Sequence, residues 1–582
     1  MSEFRFSPRS NRASEIAWMP WSADAFARAA TEDKPILLSI SAVWCHWCHV
    51  MDETSYSDPG VIDTINRRFI PVRVDNDRRP DVNARYNMGG WPTTAFLAPD
   101  GTTLTGATYL PPHQLRSVLN EIASFYSEHK GEIAARAAEL RVHRIQSDTS
   151  HGDLSDAPIA ALTQQLKQSY DEEFGGFGDA PKFPQPEVHE FLLAQWRLTG
   201  DAALHDMAAR TMLGMSRGGM YDHLEGGFFR YSTTRDWSVP HFEKMAEDHA
   251  GLLRVLATLV LFAPTNEFRA TLESTVGYVR TVLYDPQTGF FAGSQDADES
   301  YYELPLKQRR AREAPYVDRT SYTNWTCALV GALCLAARAL DDDALLAMAL
   351  QTLDNAHEGL AEGDALLYHV LAPGGTPDVR GLLADQVAYT RALLDAHEIS
   401  GEKRFLSRAQ ATADAVIARF EAEDGGFYDR LPDDAFGRLA LADRPIVENG
   451  TFAEALLRLA ALTNAAGYRE HARRALRLYL RSSEGAGPFA ATYARALQRY
   501  LTPERVIRIV GEPDSTDEFR EAALRLPTPF ASIRTVAPAE SSALDLPAKP
   551  HPAAYVCGNS ICSAPAHEPA ALRTAYDALA IA

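Results

Sequence analysis

The segment VWCHWCHVM, residues 43–51, separates Cys45 from Cys48 by two residues, and a histidine follows each cysteine. This spacing suits a redox dithiol, a metal site or covalently attached haem. The apolar segment KPILLSISAV (34–43) predicts a strand before the motif, and a helical pattern follows it. The first thiol then lies at a helix N-terminus, where the helix dipole and unpaired backbone N–H groups lower a thiol pKa. The motif therefore favours a redox pair, with Cys45 as the nucleophilic thiolate and Cys48 as the resolving thiol.

The haem and metal alternatives have less support. CHWCH fits the C-x-x-C-H haem pattern, but that chemistry belongs to exported cytochromes, and the N-terminal segment has no apolar signal region. A structural zinc site needs four ligands, whereas Cys45, Cys48 and either His46 or His49 supply three, with no second CxxC nearby. We therefore predict neither a metal nor a cofactor.

Length and composition limit the class of protein. A chain of 582 residues is too long for a single core, so several domains are expected. The formal net charge of −20 argues against nucleic acid and anionic membranes as partners. No run of 18 apolar residues exists, so we expect no membrane-spanning helix. Six cysteines are few, which fits a reducing compartment and predicts a cytoplasmic location; the oligomeric state stays open.

Three regions differ in their hydrophobic patterns. Residues 1–145 alternate strand and helix signals, with helical pieces broken at Asp58-Pro59, and Trp91-Pro92 is a candidate cis peptide. Residues 155–500 contain about twelve apolar-periodic helical segments. Residues 503–582 predict a small α/β region of strands such as RVIRIVGEP and AAYVCGNSIC.

A short phrase recurs between the predicted helices. It reads YDEEFGGFG at 170, YDHLEGGFFRY at 221, YDPQTGFFAG at 284 and EAEDGGFYDR at 421, with a degenerate GDALLYH at 363. A helix pair repeated with a Gly-Gly-Phe loop predicts stacked helical hairpins. Twelve helices in six hairpins would close as an (α/α)6 barrel, and an open solenoid is the alternative.

Several motifs together resemble the spermatogenesis-associated thioredoxin-like family: WCHWCHVM, PVRVDND, GGWPTTAFLAPDG, APKFPQP and VPHFEKM. The resemblance implies an N-terminal thioredoxin-like fold joined to a six-hairpin glycosidase-like barrel. It also implies a dithiol/disulfide site in which Pro92 shapes the substrate groove beside Cys45 and Trp44. With the C-terminal region, the predicted fold class is multidomain α/β plus all-α.

One position departs from ordinary thioredoxins, which carry a buried acid six residues before the first cysteine. Here that position is Ser39. His46, between the two cysteines, could partly substitute by stabilising the Cys45 thiolate. General disulfide reduction is therefore less favoured than a dedicated or vestigial role.

The densest group of reactive side chains in the helical region lies in residues 221–249. Aromatic rings stack on sugar C–H faces, and carboxylate, Arg and His side chains hydrogen-bond sugar hydroxyls. With APKFPQP and GSQDADES, the candidate pocket residues are Lys182, Tyr221, Asp222, His223, Arg230, Trp237, His241, Glu243, Lys244, Asp296 and Asp298. The stretch therefore predicts a carbohydrate-type pocket.

Two sugar mechanisms and a structural alternative stay open for this pocket. A glycoside hydrolase needs two carboxylates, drawn from Asp222, Asp296 and Asp298. An epimerase needs bases that remove and return a carbon-bound proton, drawn from His223, His241 and His249, the last two placed on one helical face by their spacing. Alternatively, the Gly-Gly-Phe loops are tight turns, the DAD segment caps a helix, and His241 or Lys244 forms an internal salt bridge.

The remaining cysteines add one further possibility. Cys557 and Cys562 could form a second redox pair, although two ordinary thiols are the favoured interpretation; Cys327 and Cys334 are predicted core residues. Three functions follow for the chain: a thiol-disulfide oxidoreductase or redox sensor with a protein client, a carbohydrate-active enzyme, or a non-catalytic protein that binds a sugar or another protein.

Overall fold

The computed structural model describes residues 4–143, 152–363, 365–433, 436–512, 515–546, 551–558 and 561–581. The chain divides into two compact units: residues 1–149 with 430–443, and residues 150–429 with 444–582. The predicted C-terminal region thus lies in the same unit as the helical region. The predicted boundary between 145 and 155 falls mainly on residues 144–151, outside the described residues, so the three-domain division stays a prediction.

A four-stranded mixed sheet forms the centre of the first unit. Its strands, in spatial order, are Ile70–Asp75, Ile36–Ser41, Thr93–Leu97 and Thr103–Ala107. The first two run parallel, and the other neighbours pair antiparallel. The central strand ILLSIS is buried throughout, with Leu38 facing one core and Leu37 the other, as its continuous apolar run predicts. The predicted thioredoxin-like fold is confirmed, and the Trp91–Pro92 peptide is cis.

Five helices in the described part of this unit cover the sheet: Ala23–Glu32, His46–Glu53, Pro59–Arg68, Pro80–Tyr86 and Pro112–His143. One of them begins at the predicted Asp58-Pro59 break. The Asp58 carboxylate accepts hydrogen bonds from the backbone N–H groups of Gly60 and Val61, each at 2.9 Å, and Pro59 occupies the first helical position. The sequence signal at this position is therefore a helix cap.

A segment from much later in the chain, residues 430–443, completes the first unit. Phe436 stacks on Phe26, with ring centroids 5.8 Å apart, and Leu439 is buried in the same core. The Tyr86 hydroxyl accepts a hydrogen bond from the backbone N–H of Arg438 at 2.7 Å. One of the two cores of this unit is thus built from two distant stretches of chain.

Twelve long helices of the described residues form the barrel of the second unit. The six outer helices are Ala157–Ser169, Ala202–Arg217, Asn266–Tyr278, Asp343–Leu360, Lys403–Phe420 and Ala466–Leu478. The six inner helices are Pro186–Thr199, Ala246–Phe262, Thr323–Leu340, Leu383–Ser400, Ile446–Thr463 and Ala491–Leu501. Each inner helix contacts the next, and the last contacts the first, so the ring is closed. The predicted (α/α)6 barrel is confirmed, and the open solenoid is excluded.

The burial pattern separates the two rings. The outer helix Lys403–Phe420 buries Phe405, Ala409, Ala413 and Phe420 along one face. The inner helix Thr323–Leu340 is buried on nearly all sides, including Cys327 and Cys334. Among the described residues it alone is long and apolar enough to cross a membrane, yet 72% of it is buried within the protein. A core helix of a barrel has this composition.

The recurring phrase forms small antiparallel hairpins after the outer helices. The pairs are Tyr170 with Phe177, Tyr221 with Phe228, Tyr284–Asp285 with Phe290–Phe291, Ala361–Glu362 with Leu366–Leu367, and Glu421 with Phe427. The degenerate GDALLYH thus lies in a hairpin of the same kind, although Asp364 is outside the described residues. Gly227 shows why glycine is required: its φ is +81°, and a Cβ there would lie 2.7 Å from the Tyr278 ring.

The long loops that precede the inner helices also contain short elements. The further strands are Tyr231–Ser232, Pro240–His241, Lys244–Met245, Ser294–Gln295, Val317–Asp318, Ser321–Tyr322 and Asp378–Arg380, with Leu366 continuing to Leu371. The short helices are Glu299–Tyr302 and Leu306–Arg309, and a π-helical turn spans Val279–Leu283. Short loops join the opposite ends of five inner helices to the next outer helix, so the irregular structure concentrates at one end of the barrel.

The C-terminal region repeats the strand arrangement of the first unit. Its strands, in spatial order, are Ala531–Val536, Arg505–Val510, Ala553–Gly558 and Ile561–Cys562, and helices Asp517–Leu524 and Leu572–Ile581 accompany them. The first two run parallel and the others antiparallel, in the same order along the chain as in the first unit. Strand Ala531–Val536 packs against two inner helices of the barrel. The predicted α/β region therefore has a thioredoxin-like sheet topology.

Candidate functional site

Cys45 and Cys48 form a disulfide at the start of helix His46–Glu53. Cys45 is the residue before the first helical position, and its Sγ accepts a hydrogen bond from the Cys48 backbone N–H at 3.1 Å. The buried strand Ile36–Ser41 and the turn after it position the Cys45 sulfur at the start of the helix. After reduction, the positive end of the helix dipole would stabilise a thiolate on Cys45.

Aromatic side chains surround the disulfide. The Trp44 indole N–H donates to Asp77 Oδ2 at 2.7 Å, and its ring meets the Trp91 ring edge-on, with centroids 5.6 Å apart. This contact brings the segment that contains Pro92 next to the cysteine motif. Cys45 is 4% exposed, whereas Trp47 is 50% exposed. The two sulfurs therefore lie just below the protein surface, next to the exposed indole ring of Trp47.

The polar groups beneath the motif differ from the single buried acid of ordinary thioredoxins. Ser39 faces Thr94 in the strand register, and no carboxylate occupies this strand. The buried ion pair of this layer joins Asp52 to Arg73, with N–O distances of 2.8 and 3.0 Å. Burial lowers the pKa of His49 to about 4, so its imidazole is neutral near pH 7.

His46, predicted to stabilise the thiolate, is exposed and contacts the Trp47 ring with centroids 5.9 Å apart. Its predicted effect on Cys45 stays a prediction. His49 is the buried histidine of this helix and lies one turn beyond Cys45.

Two buried lysine–aspartate pairs account for several predicted barrel residues. Lys244 Nζ lies 2.8 Å from Asp222 Oδ2, and Arg309 contacts the same carboxylate at 2.9 Å. Lys182 Nζ lies 2.7 Å from Asp171 Oδ2. Burial lowers the pKa of Lys244 to about 8, while Asp222 opposes that shift. Both lysine side chains are fully buried, so these groups serve internal ion pairs.

The same pairs anchor the hairpins that follow two outer helices. Asp222 also accepts hydrogen bonds from backbone N–H groups of its own turn, and the Tyr221 ring packs against Phe228, with centroids 4.9 Å apart. Trp237 is fully buried and lies 4.9 Å from the Lys182 ammonium. His223 is exposed, and its Nε2 lies 3.1 Å from the Gly218 carbonyl. These contacts match the alternative of tight turns with buried rings.

A second group of side chains lies at the N-terminal ends of neighbouring inner helices. We call Glu187, Glu247 and Asp248 the carboxyl cluster. Desolvation raises the pKa of all three, that of Asp248 to about 8, and Glu247 and Glu187 add repulsion at Asp248, whereas Arg230 opposes the shift at Glu247 and Asp248. Glu187 and Glu247 remain accessible to solvent, so water enters this part of the barrel.

Several buried polar atoms at this end of the barrel have no hydrogen-bond partner among the described residues, and two of them lie in the first turns of adjacent inner helices. Among the described residues, neither Asp248 Oδ2 nor Asn324 Oδ1 has a hydrogen-bond partner, although both atoms are buried. Asp248 and Asn324 lie in the first turns of adjacent inner helices. Native structures rarely leave such atoms unsatisfied, so both oxygens have hydrogen-bonding capacity left for water or another polar group.

An aromatic stack borders the carboxyl cluster. The His241 ring stacks on Tyr231, with centroids 4.9 Å apart, and the half-exposed Phe183 stacks on the other side of Tyr231 at 4.9 Å. His241 Nδ1 hydrogen-bonds the buried Glu243 carboxylate, which interacts electrostatically with Asp248. Rings and carboxyl groups of this kind suit a polyhydroxyl ligand.

The predicted pocket residues therefore separate into groups. Arg230, His241 and Glu243 come together beside the carboxyl cluster, whereas Lys182, Tyr221, Asp222, Trp237 and Lys244 belong to the hairpin anchors. Asp298 caps helix Glu299–Tyr302, as the structural alternative predicts, and Asp296 follows strand Ser294–Gln295, which pairs with Lys244–Met245.

One geometric expectation was wrong. His241 lies in a strand and His249 in a helix, so the two do not share a helical face. His249 is fully buried; its Nε2 accepts from the Phe228 N–H at 3.0 Å, its Nδ1 lies 2.6 Å from the Met245 carbonyl, and burial lowers its pKa to about 4. It holds the hairpin to the helix.

Sequence reasoning missed the carboxyl cluster and Asn324. Acidic residues are common in the first turn of any helix, where they complement the helix dipole, so their type and position gave no separate signal. The available signal was their recurrence directly after the loops APKFPQP and VPHFEKM. Within the described residues, no group of three or more His, Cys, Asp or Glu side chains is arranged to hold a metal ion.

The C-terminal cysteines also differ from expectation. Cys557 and Cys562 face each other across a tight hairpin and form a disulfide. The favoured interpretation as two ordinary thiols was therefore wrong. Asn559 and Ser560, between them in CGNSIC, lie outside the described residues.

The chain is similar in sequence to one family model and to several curated proteins. Residues 8–145 match the family model Thioredox_DsbH, described as a protein of unknown function, DUF255. Spermatogenesis-associated protein 20 of Homo sapiens is 35% identical over 325 residues, which is 52% of this chain and 41% of that protein. The protein of the same name in Mus musculus is 37% identical over 326 residues, 52% of this chain and 40% of its own length. The chain therefore matches about two fifths of the length of these curated relatives.

Solved structures with similarity to the barrel include sugar enzymes. D-mannose isomerase is 14% identical, with a TM-score of 0.49, and the match covers 61% of this chain and 99% of that one. Cellobiose 2-epimerase from Spirochaeta thermophila is 15% identical, with a TM-score of 0.46, covering 60% and 99%. From the relatives named spermatogenesis-associated protein 20 and the thioredoxin-like match, the resemblance of this chain to the spermatogenesis-associated thioredoxin-like family is confirmed.

Proposed function

We propose that the first unit is a thiol-disulfide oxidoreductase that acts through Cys45 and Cys48 on a protein disulfide. The observation that carries the proposal is the position of Cys45 Sγ at a helix N-terminus, bonded to Cys48 and accepting its backbone N–H at 3.1 Å. A dithiol at this position gives a stabilised attacking thiolate and a resolving thiol within one turn. The disulfide client and the expected cytoplasmic location stay predictions.

The exchange starts from the dithiol form, which a thiol reductant must generate from the Cys45–Cys48 disulfide by two-electron reduction before each turnover. In the dithiol form, the Cys45 thiolate attacks one sulfur of the client disulfide, forms a mixed disulfide and releases the first client thiolate. Cys48 then loses its proton and attacks Cys45, which reforms the Cys45–Cys48 disulfide and releases the second client thiol. Two electrons pass from the dithiol to the client.

The test is a redox-buffer titration of the full chain in a Cys557→Ser/Cys562→Ser background, with the Cys45–Cys48 state read by mass spectrometry. Removal of the second disulfide ensures that the two-hydrogen mass change reports the CHWC pair. We expect a reversible transition with a midpoint between about −270 and −120 mV, the range of working dithiol oxidoreductases. A disulfide that neither forms nor opens in this range contradicts the proposal.

A trapping experiment identifies the attacking sulfur. In Cys48→Ser the mixed disulfide with a client persists, because no resolving thiol releases it. The matched variant Cys45→Ser should trap no client, since the nearly buried Cys48 lacks the position before the first helical residue. Equal trapping by both variants is the outcome that excludes these roles.

We also propose a second function for the barrel: it binds a sugar or related polyhydroxyl ligand at the carboxyl cluster. The unpartnered Asp248 Oδ2 and Asn324 Oδ1, next to the Phe183–Tyr231–His241 stack, favour this function. Because its pKa is raised to about 8, Asp248 is protonated at neutral pH and donates a hydrogen bond or a proton. Epimerase, hydrolase and binding-protein roles all stay open for this site.

Thermal unfolding with a panel of neutral mono- and disaccharides tests this second function. A ligand should raise Tm in a saturable way. Asp248→Ala should weaken the effect at least about tenfold, because it removes the hydrogen-bonding group, whereas an amide would still donate. Asp206→Ala, at an exposed position of an outer helix, is the matched control. If no sugar stabilises the protein, or if Asp248→Ala retains the full effect, the proposal fails; turnover of a stabilising sugar separates an enzyme from a binding protein.

A further inference from the structure

A second cavity lies inside the barrel towards the ends of the inner helices opposite the carboxyl cluster. Its volume is about 170 Å³, well above the roughly 10–15 Å³ that one water needs. Pro529, Phe530 and Ala531, from the C-terminal region, form part of its wall. Six arginines line it, and we call it the arginine cavity: Arg197, Arg254, Arg391, Arg458, Arg495 and Arg499. The carboxylates in its lining are Glu190, Asp395, Glu398 and Glu454.

One ion-pair chain neutralises two of the arginines. Asp395 forms ion pairs with Arg254 and Arg458, with N–O distances of 2.5 and 2.8 Å. Arg458 also pairs with Glu398, with an N–O distance of 3.2 Å. Two guanidinium groups and two carboxylates thus balance in this chain. The chain links three inner helices and leaves no excess charge.

A second chain neutralises two more. Glu190 forms ion pairs with Arg391, at an N–O distance of 2.5 Å, and with Arg495. Arg495 also pairs with Glu454, at an N–O distance of 2.7 Å. The two carboxylates and two guanidinium groups again balance. Arg391 keeps 23% of its side chain exposed, so solvent reaches this part of the cavity.

Arg197 and Arg499 complete the set without a carboxylate partner. Among the described residues, neither forms an ion pair. Arg499 donates to Ser532 Oγ at 2.6 Å, and Arg197 donates to the Leu526 and Thr528 carbonyls at 2.9 and 3.0 Å. Arg197 Nε has no hydrogen-bond partner. The lining therefore carries an excess of two positive charges, held next to the C-terminal segment.

Burial of guanidinium groups without counter-ions is unfavourable, and an anion with several oxygens relieves it. Guanidinium groups match tetrahedral oxyanions because each presents planar, paired N–H donors. Consistent with an unmet charge, burial lowers the pKa of Arg197 to about 9 and also lowers that of Arg499. Glu454, Glu398 and Glu504 oppose the shift at Arg499, although none of them forms an ion pair with it among the described residues.

We propose that the arginine cavity binds a small tetrahedral oxyanion of the phosphate class, held by Arg499 and Arg197. Because these arginines also hold the segment around Pro529–Ala531, the bound anion ties the C-terminal region to the barrel. The site is separate from the disulfide and from the carboxyl cluster, and it does not depend on the function of either.

Calorimetry and thermal unfolding of the full chain with inorganic phosphate test this proposal, with chloride added to keep the ionic strength constant. We expect one binding site per chain and a saturable rise in Tm. Arg499→Gln should weaken phosphate binding at least about tenfold. The matched control Arg473→Gln removes the same charge from an exposed position on an outer helix and should bind as the unaltered chain does.

Further probes separate the sources of the anion. Competition by glycerol 3-phosphate with equal or higher affinity indicates a phosphomonoester ligand, and binding of inorganic phosphate and sulfate alone indicates a free ion. If Arg499→Gln does not fold, Arg499→Lys keeps the charge but loses the paired donors, and it should also bind at least about tenfold more weakly. A non-saturable effect, or equal stabilisation of the Arg499 variants and the control, overturns the proposal.

Discussion

Asp222 and Asp248 are two aspartates of the barrel whose surroundings give them opposite protonation states. Asp222 contacts the Lys244 ammonium and the Arg309 guanidinium, which lower its pKa despite its burial. Desolvation, with added repulsion from nearby carboxylates, raises the pKa of Asp248 to about 8, and its Oδ2 has no hydrogen-bond partner among the described residues. The first is therefore a charged structural group, and the second is a neutral acid suited to a ligand.

The structural role of Asp222 predicts a large effect on stability. Asp222→Asn leaves Lys244 and Arg309 buried without their shared countercharge, so we expect the free energy of unfolding to fall by about 3 kcal/mol. Urea unfolding measures the change. Asp206→Asn, at an exposed site, should change stability by no more than about 0.5 kcal/mol. If Asp222→Asn lowers the free energy of unfolding no more than the control does, the ion pairs of Asp222 do not stabilise the fold.

The raised pKa of Asp248 predicts a pH dependence with a definite sign. The folded protein holds this proton up to about pH 8, whereas the unfolded chain releases it near its ordinary value of 3.8. Between these values the native state binds more protons, so stability present at acid pH declines as pH rises towards 8.

Asp248→Asn should remove about 2 kcal/mol of that decline between pH 5 and pH 9, a figure reduced because Asp248 keeps partial contact with solvent. Urea midpoints across this range measure it. Parallel pH profiles for the variant and the unaltered chain would show that Asp248 does not titrate in this window.

The hairpins are the element on which sequence and structure agree most closely. Each Gly-Gly-Phe phrase follows an outer helix, and its glycines occupy left-handed backbone positions, as at Gly226, Gly227, Gly425 and Gly426. At two of these hairpins the first turn of the next inner helix binds the hairpin through a polar side chain: His249 binds the Phe228 N–H, and Asn449 binds the Phe427 N–H and carbonyl. The repeat therefore encodes the joint between an outer and an inner helix.

This joint predicts an unequal effect for two glycines of the barrel. Gly227→Ala places a Cβ 2.7 Å from the Tyr278 ring and 2.8 Å from His249 Nε2 at a φ of +81°, so we expect a loss of about 2–4 kcal/mol in unfolding free energy. Gly277→Ala, inside an outer helix with no atom within 4 Å of the new Cβ, should instead gain about 0.5–1 kcal/mol. Thermal unfolding of both variants measures the difference, and equal effects would contradict the tight joint.

Features that depend on residues close together in the chain could be predicted from the sequence, and features that depend on distant residues could not. The strand Ile36–Ser41, the cap at Asp58 and the hairpins depend on neighbouring residues, and each was predictable. The carboxyl cluster joins residues of several loops and helices, and its acids carry no local mark that separates them from helix-terminal acids. An internal salt bridge of Lys244 was among the predicted alternatives, but its pairing with Asp222 depends on a hairpin register, so the partner could not be predicted.

At the scale of the whole molecule, one strand arrangement occurs twice. The sheets that contain Ile36–Ser41 and Arg505–Val510 share their order and directions. Only the first has its disulfide at a helix N-terminus; the second has Cys557 and Cys562 on adjacent strands. Composition and periodicity predicted an α/β region in each case, but the common topology depends on long-range strand pairing that no local pattern records.

The first unit consists of two separate stretches of chain, so we expect the first stretch alone to be less stable than the complete unit. A fragment of residues 1–149 lacks Phe436 and Leu439, which pack beside Phe26 in one of its two cores. Each large apolar side chain contributes about 1.5–3 kcal/mol when buried, so the fragment should be less stable than the same unit in the full chain by about 3–5 kcal/mol. A synthetic peptide of residues 430–443, added in trans, should raise the Tm of the fragment in a saturable way.

The same peptide with Phe436→Ala and Leu439→Ala is the matched control, because it keeps the backbone hydrogen bond from Arg438 to Tyr86 but removes the apolar contacts. It should give no more than a small fraction of the stabilisation. If the fragment alone is as stable as the unit in the full chain, or if both peptides act equally, then residues 430–443 are not part of the folding unit. Rescue by the unaltered peptide alone would instead show that the thioredoxin-like core requires a segment encoded within the barrel.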